Sequence, residues 1–368
     1  MPIRVPTTAV LLLLIAPAIL CQTDSANQTV AKSSATLPAA KPADPPAADP
    51  ATASAANAAH AVAKSRTLFF YTSPRSTVEM AVHSIPETNQ QRLDRLRDNF
   101  KAADCNGSRM QEQPVPGKGG ESGTNLICTW PGATRGTIVI VAHYEHEGKG
   151  EGALADWSGA VLLPFLYEAI QGQPRENNYV FLEAWKRAGA EVWLKSLPKG
   201  ERKNIRAVID LDALGLGSTR FYTTFSPFET SPPGAAHLQR QLLWAAVDEG
   251  LAQPPEQTST RHWLSVDDTD PFRAETIPTI VIHSVPPQSD RVPGSAADVA
   301  SALDGNAYFQ SYHLICAYLA SLDRVAAKLD TQDRMWDMSD VDVQPESETP
   351  RVTFRSVYGG RLGATKPQ

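Results

Sequence analysis

Imidazoles and carboxylates are the side chains that hold a divalent cation or move a proton, and here they gather where strands end and helices begin. His143 closes the apolar run that starts at Thr137, and Asp156 opens a helical stretch after a Gly-rich loop. Asp212 closes a second apolar run, Asp267, Asp268 and Asp270 form an acidic turn, and His283 follows the run Ile280 to Ile282. His143, Asp156 and Asp212 are of the types that hold a metal, and His283 reads either as a fourth such residue or as part of the wall. Each residue also has a plainer reading. Asp156 suits a helix N-cap, Asp212 suits an ion pair with Arg187, His283 suits a hydrogen-bonded wall, and Trp157 and Trp185 suit packing. A serine nucleophile is excluded because Ser158 lacks a G-x-S-x-G elbow, and no C-x-x-C spacing offers a zinc knuckle.

The elements that must position these groups alternate. Strands are expected at 67–72, 125–130, 137–143, 178–183, 207–212, 220–224 and 277–283, and helices at 86–103, 156–170, 191–197, 235–250 and 306–323. Residues 107–124 read as a turn-rich connection. Strand–helix alternation of this kind implies an α/β three-layer sandwich with a mainly parallel central sheet flanked by helices. Ligands of such sheets bind at strand ends, which is where His143 stands.

Arg4, the apolar run from Ala9 to Ile15 and the small residues at Ala16-Pro17-Ala18 have the layout of a secretory signal, so the chain is expected to be exported to the periplasm, cell envelope or exterior. A membrane association would come only through an uncleaved signal or a lipidated Cys21. Residues 22–66 are Ala, Pro, Ser, Thr and Asp with almost no large apolar group, a composition that reads as a disordered tether. The folded domain is expected over 67–326, followed by a polar tail over 327–368 that is mobile beyond Val343. Of the four cysteines, Cys105 and Cys128 adjoin predicted elements, and an oxidising compartment permits a disulfide between them. A formal charge of −6 and a pI of about 5.8 provide no basic stripe for nucleic acid.

Taken in order, Val141-Ala142-His143-Tyr144, Asp156-Trp157-Ser158-Gly159, Asp210 to Gly215, Asp268 to Phe272, Ile277-Pro278-Thr279 and the helix from Tyr308 to Asp323 resemble the co-catalytic zinc exopeptidases of metallopeptidase family 28, which includes bacterial leucyl aminopeptidases. The resemblance spans roughly Thr67 to Val325. It implies two zinc ions held by imidazoles and carboxylates, and a glutamate that takes a proton from metal-bound water. By position, His143 matches the first histidine ligand, Glu145 replaces the aspartate that orients it, and Asp212 matches a carboxylate ligand. The bridging aspartate falls at Ala155, with Asp156 its neighbour. The E-E-x-G pair falls at Lys186-Arg187, so the general-base position is a lysine and a ligand position an arginine. The last histidine falls near Pro293, where 291–299 has no imidazole.

These substitutions imply a degenerate member with no bound metal, whose cations offset the surviving carboxylates; Arg187 is expected within salt-bridge reach of Asp212 or Asp156. The old cleft, lined by Glu145, Trp157, Lys186, Arg187, Asp268 and His283, is then a binding site for a peptide or other small anionic ligand. The alternative is an active metal-dependent exopeptidase with a remodelled zinc site.

Overall fold

The computed structural model describes residues 68–117, 122–223, 234–258, 268–330 and 354–358. The signal, the tether and Asp267 lie outside the described residues. Ten strands are described: β1 (Leu68–Thr72), β2 (Met110–Pro116), β3 (Ser122–Trp130), β4 (Thr137–His143), β5 (Asn178–Ala184), β6 (Ile205–Leu211), β7 (Arg220–Tyr222), β8 (Glu256–Gln257), β9 (Thr279–His283) and β10 (Phe354–Tyr358). The principal helices are α1 (Arg75–His83), α2 (Asn89–Ala102), α3 (Leu163–Ala169), α4 (Lys186–Ser196), α5 (Ala235–Asp248), α6 (Asp270–Ala274) and α7 (Gly305–Asp330).

Eight strands form one mixed sheet in the order β2-β3-β5-β4-β6-β9-β7-β8. Its centre, β5-β4-β6-β9, is parallel, while β2, β3 and β7 join antiparallel. The central strands are apolar on both faces because both are covered. On β4, Ile138, Ile140 and Ala142 point into a core shared with Val78, Leu93, Leu166, Leu238 and Tyr312 of α1, α2, α3, α5 and α7. Val139 and Val141 point the other way, into a second core with Ala190, Trp193 and Leu194 of α4 and Phe272 of α6. Chain order reverses at β4, whose neighbours are β5 and β6. The helix after β4 covers one face and the helix after β5 the other, which opens a crevice at the β4 carboxyl end.

Three expectations are corrected. The connection expected over 107–124 contains β2, an edge strand with Pro114 and Pro116 and a single buried residue, Val115, so it carries no apolar alternation to read. The helix at Asp156 starts earlier, as a π-turn over Ala153–Trp157. The C-terminal tail is not wholly without structure: α7 runs to Asp330, and β10 pairs in parallel with β1, from Leu68 with Phe354 to Thr72 with Tyr358.

Cys105 and Cys128 form a disulfide, with Cα atoms 6.2 Å apart. It ties the end of α2 to β3 across 23 positions of sequence, a loop whose closure is worth about 3 kcal/mol through the unfolded chain. Cys105→Ala with Cys128→Ala is therefore expected to lower the unfolding free energy by that amount, read as a fall in the urea midpoint. A midpoint unchanged from the oxidised parent would show that the bridge contributes nothing.

Candidate functional site

The crevice is built by the loop after β4, residues 144–152, which buried groups hold in place. Arg92 of α2 is almost fully inaccessible, and its guanidinium donates to three carbonyls: Pro86 at 3.2 Å, Tyr144 at 3.2 Å and Glu151 at 2.5 Å. The same guanidinium lies 5.8 Å over the Trp157 ring, whose indole N–H donates to Ala81. Trp157 is thus a core residue and not the cleft wall expected of it. At the start of α2 the Asn89 amide accepts from the His146 N–H at 2.7 Å and donates to its carbonyl at 3.3 Å. A side chain pairs with His146 as a strand would.

His146 completes the site, and no strand or helix periodicity points to it. Its Nδ1 lies 2.6 Å from Asp156 Oδ2. The other Asp156 oxygen, Oδ1, faces His143 Nε2 at 3.5 Å, and His143 Nδ1 bonds Asp268 Oδ2 at 2.9 Å. The result is an alternating row of Asp268, His143, Asp156 and His146. Burial opposes charge on His143, but Asp268 and Asp156, with help from Glu145, hold the imidazole well above its ordinary value. The Asp156 hydrogen bond raises His146. Burial likewise opposes the Asp156 charge, and the two imidazoles overcome it, so its carboxyl sits below the usual range. Proton binding by the imidazoles and ionisation of Asp156 favour one another.

Asp156 reaches His143 because of the π-turn. A π-turn accommodates one residue more than an α-turn, so the aspartate displaced by one position from Ala155 still faces the crevice. Gly152 opens this turn at φ 57°, and a Cβ there would lie 2.1 Å from Asp156 Oδ2 and 2.5 Å from His146 Nδ1. Gly152→Ala is expected to separate this pair and to cost roughly 1–3 kcal/mol from the left-handed backbone and the clash together. The check is loss of the His146 imidazole's raised pKa, followed by NMR titration, alongside the denaturation midpoint; an unmoved His146 titration would disprove the close approach.

The loop expected to supply a histidine near Pro293 supplies Asp298 instead. It is fully buried and accepts from Leu154 N–H at 2.6 Å, Ala155 N–H at 3.2 Å and Gly294 N–H at 2.8 Å. Both of its oxygens are used in fixing the π-turn.

Lys186 and Arg187 do not point at Asp212 or Asp156. Lys186 pairs with Glu147 of the β4 loop, and Arg187 Nε lies 3.2 Å from Asp270 Oδ2, while Asp270 Oδ1 faces Arg273 Nη2 at 3.4 Å. The expected Arg187 pairing is therefore corrected: at the start of α4 both cations face the acidic rim, not the strand ends. Lys186 adopts φ 57°, and its N–H donates to Glu145 Oε2 at 3.0 Å. Glu145 therefore braces the α4 entry, while Asp268 orients the His143 ring. Burial pushes the Glu145 carboxyl up to about 7.

Asp212 is buried at the end of β6, two residues beyond Asp210, which pairs with Val141, and its N–H bonds the Ile282 carbonyl. His283 is fully buried on β9; its Nδ1 accepts from Val285 N–H and its Nε2 meets Thr258 Oγ1 at 2.9 Å. It is a wall residue away from the His143 row. Glu183, one strand over on β5, is fully buried, and burial raises its carboxyl well above the ordinary value against the pull of His143.

A zinc pair does not fit these side chains. His143 Nε2 and Asp156 Oδ1 converge, but the start of α4 carries Lys186 and Arg187, and residues 291–299 offer no imidazole, only Asp298, whose oxygens are already bonded to three N–H groups. Among the described residues no group of three or more His, Cys, Asp or Glu is arranged to hold a metal ion.

The mixed sheet, its helical layers and the crevice at β4 define a zinc-exopeptidase type of α/β domain. The family model for Peptidase family M28 matches residues 125–327, and the chain belongs to that family. No curated protein matches it. Among solved structures it is similar to a glutaminyl cyclase of Bacteroides thetaiotaomicron bound to N-acetylhistamine, at 15% identity and TM-score 0.55 over 69% of this chain and 98% of that one. It is also similar to the LapA aminopeptidase of Legionella pneumophila, at 13% identity and TM-score 0.52 over 67% and 70%. The zinc aminopeptidase BSAP of Bacillus subtilis aligns at 14% identity and TM-score 0.48 over 55% of this chain and 51% of that one, so the chain spans about half of its length. At these identities the likeness is one of fold.

Proposed function

We propose that this chain is a catalytically silent member of family 28, an exported binding module whose crevice takes a peptide or other small anionic ligand without a metal. One observation carries the reading: each oxygen of Asp156, the carboxylate nearest the bridging position, faces an imidazole. In a working site that carboxylate would bridge two dications, and protons on His143 and His146 supply the compensating charge instead. Lys186 and Arg187 support it, since the resemblance places the adjacent glutamates at these two positions and neither cationic side chain can serve there as a zinc ligand or a general base. The Cys105–Cys128 bridge supports an oxidising compartment.

A second reading has its own observation. His143 is oriented through Nδ1 by Asp268 with Nε2 facing Asp156, the way metal-ligating histidines are held, which favours an active exopeptidase with a remodelled zinc site. Metal analysis of the purified full chain separates the two. The expected result is substoichiometric zinc, no calorimetric zinc binding at micromolar concentration and no hydrolysis of aminoacyl or dipeptide substrates with zinc added. Lys186→Glu with Arg187→Glu is expected to leave hydrolysis undetectable. Tight zinc binding with chelator-sensitive hydrolysis, lost in His143→Ala, would establish the second reading.

A further inference from the structure

The pairing of β1 with β10 makes a two-stranded sheet separate from the central one. Backbone groups of successive strand residues face opposite edges. On one edge of β1 the described partners are side chains of the domain. Phe69 N–H donates to Gln173 Oε1 at 3.2 Å, the Phe69 carbonyl accepts from Arg175 Nη2 at 3.1 Å, and Ser73 N–H donates to Tyr312 OH at 3.1 Å. That edge is closed by groups belonging to the folded body. The other edge, presented by Leu68, Phe70 and Thr72, is the one β10 covers.

β10 is a poor permanent cover. It is five residues long, pairs in parallel, and forms a sheet of two strands, a combination that is marginal in isolation. It belongs to a sheet separate from the central one, so its departure from β1 leaves the central register undisturbed. β1 itself is rigidly anchored: Phe70 and Thr72 are fully buried, and Gly172 packs so closely that a Cβ would lie 2.9 Å from Phe70 Cα. A fixed acceptor strand covered by a short, tethered donor strand is the arrangement of β-strand addition, in which the backbone ladder supplies the affinity.

We propose that the outer edge of β1 is a recognition site for an extended peptide that pairs in parallel, and that β10 is its built-in competitor. The site is separate from the His143 crevice and does not depend on how that crevice functions. The partner is a segment in β conformation with the aromatic and β-branched character of Phe354-Arg355-Ser356-Val357-Tyr358. Tethering holds β10 at high effective concentration, so a partner binds the intact chain weakly and a chain with β10 disabled strongly.

The test uses the full chain and a fluorescent synthetic peptide spanning Arg351 to Gly360. Ser356→Pro with Val357→Pro removes an N–H at each of two successive positions, so one falls on the ladder whichever residue donates. Fluorescence anisotropy is expected to show binding to this variant at least roughly tenfold tighter than to the parent, with a peptide of scrambled order failing to bind. Equal affinity for parent and variant, or equal binding of the scrambled peptide, overturns the proposal. A second measurement guards against a misfolded variant. With a protease site placed within 331–353 of the otherwise unaltered chain, the cleaved C-terminal piece should co-elute with the body and be displaced by excess synthetic peptide. Loss of the piece on cleavage, retention that the peptide cannot compete with, or a concentration-dependent dimer of the parent would each overturn it.

Discussion

Replacing Arg92 with alanine is expected to remove about 3–5 kcal/mol of folding free energy, the range for truncating one side of a buried charged network. Three carbonyls, from Pro86, Tyr144 and Glu151, lose their donor, the Tyr144 one fully buried and the other two partly so, and each buried acceptor left orphaned costs roughly 1–3 kcal/mol. The Trp157 ring loses its cation as well. Arg92→Lys keeps the charge but cannot reach three acceptors lying in different directions, because one ammonium replaces a planar fork of five donors. About half the loss is expected there. Urea unfolding at constant m measures both variants, and an alanine variant within about 0.5 kcal/mol of the parent, the usual scale of a neutral surface change, would show that the β4 loop holds itself.

That loop explains what the sequence makes legible and what it hides. β4 is read at its observed bounds because Thr137 to Val141 is a run of β-branched residues buried on both faces, and α7 is read because Tyr308, Tyr312, Ile315 and Leu319 repeat at helical spacing. His143 is singled out because it ends such a strand, and Asp268 because it stands in an acidic turn. His146 is missed because it lies in a Gly-rich loop with no period to place it; the available signals were its H-x-x-H spacing from His143 and a glycine, Gly152, where the pair needs room. Position-by-position matching puts the bridging residue at Ala155, whereas the carboxylate that faces His143 is its neighbour Asp156, carried in a π-turn that no sequence period marks. Lys186 and Arg187 are read as partners of Asp156 and Asp212, and the structure pairs them with Glu147 and Asp270 instead. Their partners are not legible, since Glu147 lies in a loop and Asp270 opens a short helix, and the approach of both is set by tertiary packing alone.

Asp298 lies in the same blind spot, and its substitution provides the sharpest test of the π-turn. Its oxygens accept from Leu154, Ala155 and Gly294, so every partner is a backbone donor. Burial raises its carboxyl, those three bonds pull it down, and nearby Asp156 pushes it up again. Asp298→Ala leaves buried N–H groups without acceptors and is expected to cost roughly 3–5 kcal/mol, since hydrogen bonds to a charged group are worth about 1.5–3 kcal/mol each and are not additive. Asp298→Asn, nearly the same shape, is expected to be almost as damaging. Its amide NH₂ must face either Leu154 or the pair Ala155 and Gly294, setting donor against donor whichever way it is flipped. Because the π-turn carries Asp156 to His143, both variants should also lower the His143 and His146 imidazole pKa values toward that of a free histidine, which NMR titration reads independently of stability. An Asn variant as stable as the parent, with both titrations unchanged, would mean that the turn forms without its carboxylate.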